Sequence, residues 1–211
     1  MPRLLVGAAL LPGLAEDLLQ HHPDLHITLQ ADRPHLLVDQ LVDGRHDLVI
    51  APSWLDRPPP GIERFLLVED DLGVFCGATH PLAAGGRLGA DGAAGHAWLS
   101  LGATSPFDQH VREMLEEAGV AAPRTQVTVL GEAFMLLRLL AQGRHLSVLP
   151  HFPMRLLQPF VPVVELALPA QPRARDIHLW CRATLLEDPL FLGMKETILA
   201  YGRRVAAEGA P

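Results

Sequence analysis

The sequence predicts an α/β protein of two similar lobes, and three observations carry that expectation. Short apolar, strand-like runs alternate with helical stripes across residues 1–77, and the same grammar begins again across residues 78–172. Glycines stand where the helices should stop, at Gly44, Gly119 and Gly143. A long amphipathic run, residues 189–205, follows the last strand and is expected to return to the first lobe. The lobes are placed at residues 1–77 plus 177–211 and at residues 78–176, with crossovers near 76–79 and 175–179.

In the first lobe, Leu4-Leu5-Val6 is expected to be a buried parallel strand. Pro12 suits the first turn of a helix with an apolar stripe of Leu14, Leu18 and Leu19, stopped by Pro23. Leu25, Ile27 and Leu29 alternate with His26, Thr28 and Gln30, as in a half-buried strand. A helix over residues 34–42 follows, ended by Gly44, and then a strand at Leu48-Val49-Ile50. Pro58-Pro59-Pro60-Gly61 makes a surface loop, after which strands run over residues 62–68 and 72–76.

The second lobe starts with a strand at residues 98–101. Ser105 is a good N-cap, Pro106 fits the first helical position, and Phe107, Val111, Met114, Leu115 and Ala118 form a core stripe. Val127 and Val129 mark a strand, residues 133–141 a deeply buried helix, and residues 146–149 a strand stopped by Pro150. Strands at residues 161–168 and 177–180 precede the terminal helix.

Composition excludes several classes. Of 211 residues, 49% are hydrophobic and 19% charged, enough to bury a core. Seventeen Lys and Arg against 24 Asp and Glu leave a net charge of −7, unsuited to binding nucleic acid alone. The Arg173–Arg175 run, beside a proline, is expected to be a solvated loop. Cys76 and Cys181 lie far apart in apolar runs, as buried thiols of a reducing compartment do. With neither a signal peptide pattern nor an apolar run long enough to span a bilayer, a cytoplasmic protein without membrane association is expected.

Several phrases carry a likeness. Gly44-Arg45-His46-Asp47-Leu48-Val49-Ile50 is followed by the apolar strand ending at Cys76 and by Thr79-His80-Pro81-Leu82. Leu11-Pro12, His22-Pro23-Asp24-Leu25, His96-Ala97-Trp98, Ala141-Gln142-Gly143 and Val148-Leu149-Pro150 appear in matching order. Together they resemble the effector-binding domain of LysR-type transcriptional regulators, over essentially the whole chain. The resemblance implies two Rossmann-like lobes joined by two crossovers, the type 2 periplasmic-binding arrangement. It implies a sensor of a small-molecule effector that associates as a homodimer or higher, meeting DNA only through a winged helix-turn-helix that would precede Leu4. The chain departs from the family in a short first loop without a hydroxyl between Val6 and Glu16, in Arg33 where Thr or Ser is common, and in Gly143-Arg144-His145 for Gly-x-Gly. Either an unusual effector or a degenerate pocket is therefore expected. The alternative class, a stand-alone solute-binding protein, would be marked by a signal peptide.

The candidate site follows from the lobes. Ligands of open parallel sheets sit beyond the strands' carboxyl ends, beside helix N-termini whose N–H groups favour anions. Arg33, with a guanidinium that pairs bidentately with carboxylate, is the leading contact. Thr104 and Ser105 add hydroxyls, His151 a hydrogen bond, and Pro52, Phe107 and Leu130 an apolar wall. Ala8, Ala9, Pro34, Ser53, Gly102 and Gly131 complete the expected contacts of an organic carboxylate. No metal, cofactor or enzymatic activity is expected. His21 and His22 point about 100° apart on a helix, and Ser53, Ser100, Ser105 and Ser147 lie in no nucleophile elbow. The acidic pairs Glu116-Glu117 and Glu69-Asp70-Asp71 are expected to be solvated.

Overall fold

The chain enters as a helix and not as a strand. Leu4-Leu5-Val6 runs into Gly-Ala-Ala-Leu-Leu, a stretch rich in the helix formers Ala and Leu that tolerates one valine and one glycine, and a single helix α1 spans Arg3–His21 with Pro12 inside it. Its buried stripe is Leu10, Leu14 and Leu18, at spacings of four, while Leu19 is turned outward. This computed structural model describes residues 3–89, 95–102, 108–120, 123–129, 133–169 and 174–208.

The chain divides into two compact units, residues 6–70 with 175–211 and residues 1–5 with 71–174. In the first, helix α2 spans Pro34–Val42. The expected strand at residues 25–29 does not form. Leu25 and Ile27 are half-buried and Leu29 is exposed, because a strand needs a hydrogen-bonded neighbour as well as a pattern. Strands β1 (Leu48–Pro52) and β2 (Ile62–Val68) flank β8 (Ile177–Arg182) in the order β1-β8-β2. Both pairings are antiparallel, correcting the expected parallel sheet. Val49, Ala51, Ile62 and Trp180 pack with Val38 and Leu41 of α2. The terminal helix α6 (Pro189–Glu208) packs on β2 and meets it so closely at Gly202 that a Cβ there would lie 2.6 Å from the Leu67 carbonyl oxygen.

The second unit holds β3 (Leu72–Gly77), β4 (Ala97–Ser100), α3 (Asp108–Glu117), β5 (Arg124–Thr128), α4 (Ala133–Ala141), β6 (His145–Pro150), α5 (His151–Leu157) and β7 (Val163–Leu166). The sheet order is β5-β4-β6-β3-β7, with β4 parallel to β5 and β6, and β3 antiparallel to β6 and β7. Expectation put β3 in the first lobe. All six of its residues are buried between β6 and β7, so the chain enters the second unit before β3. One sheet face carries Leu72, Val74, Cys76, Trp98 and Leu146 against Met114 and Leu115 of α3 and Ala118 just after it. The other carries Phe75, Leu99 and Leu149 against Leu136, Leu137 and Leu140 of α4 and Met154 of α5.

Helix ends obey the glycine signal. At Gly44 (φ 74°) the Gly44 N–H meets the Leu41 carbonyl and the Arg45 N–H the Gln40 carbonyl. At Gly119 (φ 76°) the same pair of bonds runs from Gly119 to Glu116 and from Val120 to Leu115. Both are Schellman caps, which need a left-handed residue and so select glycine.

Candidate functional site

In the unit of residues 6–70 and 175–211, Arg33 occupies the N-cap of α2 with φ −65° and ψ 139°, and no side chain caps the helix. Pro34 takes the first helical position. Asp32 accepts the Arg33 backbone N–H at 2.7 Å, while the side-chain Nε is buried and meets no acceptor among the described residues. Ala8 and Ala9 fall inside α1, so they are not on a strand-to-helix loop as expected.

Pro52 closes β1, and Ser53 begins the next loop. The Ser53 hydroxyl donates to the Leu55 carbonyl at 3.1 Å and accepts from Arg64, and its N–H donates to the Asp176 carbonyl at 3.1 Å. Arg64 was not anticipated. Its Nη1 also donates to the Leu55 carbonyl and its Nη2 to the Asp56 carbonyl, while the guanidinium lies 5.6 Å from the Trp180 ring centroid. The available signal was alternation: Arg64 stands in phase with Ile62, on the strand face that α2 covers.

Two charges expected to be solvated are buried. Arg175 and Asp70 form an ion pair at 3.4 Å, each side chain fully inaccessible. Burial pushes the Arg175 pKa down to about 10, opposed by the charge and hydrogen bond of Asp70. The Arg175 N–H donates to the Asp70 carbonyl at 2.6 Å, and the Asp70 N–H to Asp176 Oδ1 at 3.3 Å. Three consecutive acidic residues in sequence do not reveal that the middle one faces inward.

In the other unit, His151 begins α5 directly after β6. Its Nδ1 is hydrogen-bonded to Asp71 Oδ1 and its Nε2 to Glu165 Oε1 at 2.6 Å. Burial works against its charge, but the hydrogen bonds and charges of Glu165 and Asp71 outweigh it and push the pKa up to about 9. A protonated imidazole donates from both nitrogens, so both are committed within this cluster. Gly73 makes the room, since a Cβ there would lie 2.8 Å from the His151 Cε1. Gly102, at φ 94°, donates its N–H to Ser100 Oγ at 3.0 Å. Thr104, Ser105, Phe107, Leu130 and Gly131 lie outside the described residues.

His80 of the His80-Pro81-Leu82 phrase is 3% exposed, and its Nδ1 accepts the Leu82 N–H at 3.1 Å. Burial, then the charges of His96 and His145, lower its pKa. The motif is thus a turn latch. Ser147 donates to the Leu99 carbonyl at 3.2 Å, a structural use of its hydroxyl. Burial pushes the Cys76 thiol up to about 11, and burial with Glu63 raises Cys181, so neither is a ready thiolate. Among the described residues no group of three or more His, Cys, Asp or Glu is arranged so that it could hold a metal ion, and no helix is long and apolar enough to cross a membrane.

Two antiparallel and mixed sheets flanked by helices narrow the fold, and comparison of sequence decides the family. Residues 4–202 match the LysR substrate binding domain. The chain belongs to that family. This LysR domain also shares its fold with solved structures. The effector binding domain of QuiR in complex with shikimate has a TM-score of 0.73 at 20% identity, covering 94% of this chain and 93% of that one. The regulatory domain of MexT, a transcriptional activator in Pseudomonas aeruginosa, has a TM-score of 0.74 at 20% identity, covering 93% of each. The reduced OxyR regulatory domain from Pseudomonas aeruginosa has a TM-score of 0.72 at 20% identity, covering 94% and 92%. At such identities the likeness is one of fold, the type 2 periplasmic-binding arrangement. No curated protein sequence matches the chain. LysR substrate binding domains are regulatory and not enzymatic.

Proposed function

We propose that this LysR domain senses a small organic anion, held by its carboxylate, and so controls DNA binding by the full-length regulator, with self-association as a homodimer or higher. The observation that carries the anion is Arg33: a guanidinium at the uncapped N-terminus of α2, with Nε buried and no acceptor among the described residues. Buried donors are normally satisfied, and a carboxylate supplies acceptors where the helix end already favours negative charge. QuiR, a relative in fold, was solved with shikimate, itself a carboxylic acid. His151 plays no part in the proposed binding, because Asp71 and Glu165 hold both of its ring nitrogens.

Calorimetry against a panel of carboxylates, including shikimate and benzoate, tests this. A charged hydrogen bond contributes about 1.5–3 kcal/mol, so Arg33→Ala is expected to weaken binding by about tenfold to a hundredfold. Equal affinity in both proteins removes Arg33 from the site, and a neutral best ligand ends the anion reading.

A further inference from the structure

We propose that Arg64 is the positioning residue of the 53–56 loop, acting on the effector through Ser53 and Trp54; this rests on the carboxylate reading above. One planar guanidinium collects three acceptors of the loop: Ser53 Oγ, the Leu55 carbonyl and, at 2.8 Å, the Asp56 carbonyl. The group is itself fixed from behind, 5.6 Å from the centroid of Trp180, a fully buried ring whose Nε1 donates to the Ala51 carbonyl at 3.1 Å. Trp54 completes the stack, its ring 5.9 Å from that of Trp180. Strand β2 therefore dictates the shape of a loop that begins on β1.

The consequence for recognition is specific. Ser53 has no hydroxyl proton to spare, because it donates to Leu55. What the loop offers a bound acid is the half-buried ring of Trp54, held at a fixed angle of 32° to Trp180. An effector with a flat apolar body is the chemistry that such a ring favours. Lysine cannot replace Arg64, since an ammonium lacks the planar fork that serves several carbonyls at once.

The test uses Arg64→Lys and Arg64→Gln with two readouts. Trp98 and Trp180 are 2% and 0% exposed, so acrylamide quenching reports on Trp54, with Trp54→Phe as the control. Hydrogen exchange of the 53–56 amides supplies the second measure. Both variants are expected to raise quenching and loop exchange severalfold, and to weaken benzoate or shikimate binding by about tenfold as Trp54 loses its fixed position. Unchanged loop exchange in both variants overturns the proposal, as does a loosened loop with unaltered affinity. If the wild-type domain binds none of the acids while the loop loosens in both variants, the carboxylate reading fails and the anchor stands.

Discussion

His151 shows how one residue's surroundings reverse its role. As a loop histidine it would titrate near 6.5; between Asp71 and Glu165 it is held protonated up to about 9. A histidine whose folded pKa is raised stabilises the fold fully below the unfolded value and loses that contribution as pH rises through the folded one. The window is therefore about pH 6.5 to 9. Wild-type stability, followed by urea denaturation, should fall across that window relative to His151→Gln, and an NMR titration should place the imidazole near the upper end. Parallel pH profiles for the two proteins would show that the cluster contributes nothing. His80 has the opposite sign. Its lowered pKa means that acid, not base, works against its latch on Leu82. Arg64 and Asp70 share with His151 the property that their importance lies in partners distant in sequence.

At the scale of elements, glycines decide where helices and strands touch. Gly77 ends β3 so close to α4 that a Cβ would lie 2.8 Å from the Gly143 nitrogen. Gly143, at φ 70°, closes α4 and would bring a Cβ within 3.0 Å of the His80 nitrogen. Backbone atoms cannot yield as a flexible side chain can. Gly143→Ala should cost more than about 2 kcal/mol, from strain and overlap together. Gly61→Ala provides the comparison, because φ is +77° there and nothing lies within 4 Å. It should cost about 1–2 kcal/mol, the conformational part alone. Similar urea midpoints for the two variants would show that the close approach is unimportant. The antiparallel sheet β1-β8-β2 has its own logic: β8 returns from the far end of the sequence to be buried, with Ile177, Leu179, Trp180 and Cys181 at 0% exposure.

For the whole molecule, the proposed homodimer is the property most open to test. Helix α4 leaves Phe134 68% and Met135 53% exposed, and in the same unit Phe160 is 81% exposed. A contiguous exposed apolar patch marks an association surface, whereas apolar side chains scattered singly do not, and the sequence neighbours Phe134 and Met135 are the pair to test. A stable pair should bury well over about 1,000 Å². Light scattering at tens of micromolar should give twice the mass of the chain, and Phe134→Asp with Met135→Asp should shift it toward the monomer. A wild-type monomer at that concentration removes the proposal.

Local pattern determined much of this protein on its own. The stop signals at Gly44, Gly119 and Gly143, the buried face of α3 and the family phrases from Gly44 to Leu82 were all legible, because each depends on neighbours within a few residues. Long-range pairing was not legible. Leu4-Leu5-Val6 reads as strand or helix until its neighbours choose, and the alternation at residues 25–29 found no partner strand. Whether β3 joined one sheet or the other depended on β6 and β7, far along the chain. The charges followed the same rule. Arg64, Asp70, Arg175 and His151 each acquired a role from groups that only folding brings within hydrogen-bond reach, since a charge is neutralised by proximity in space and not in sequence.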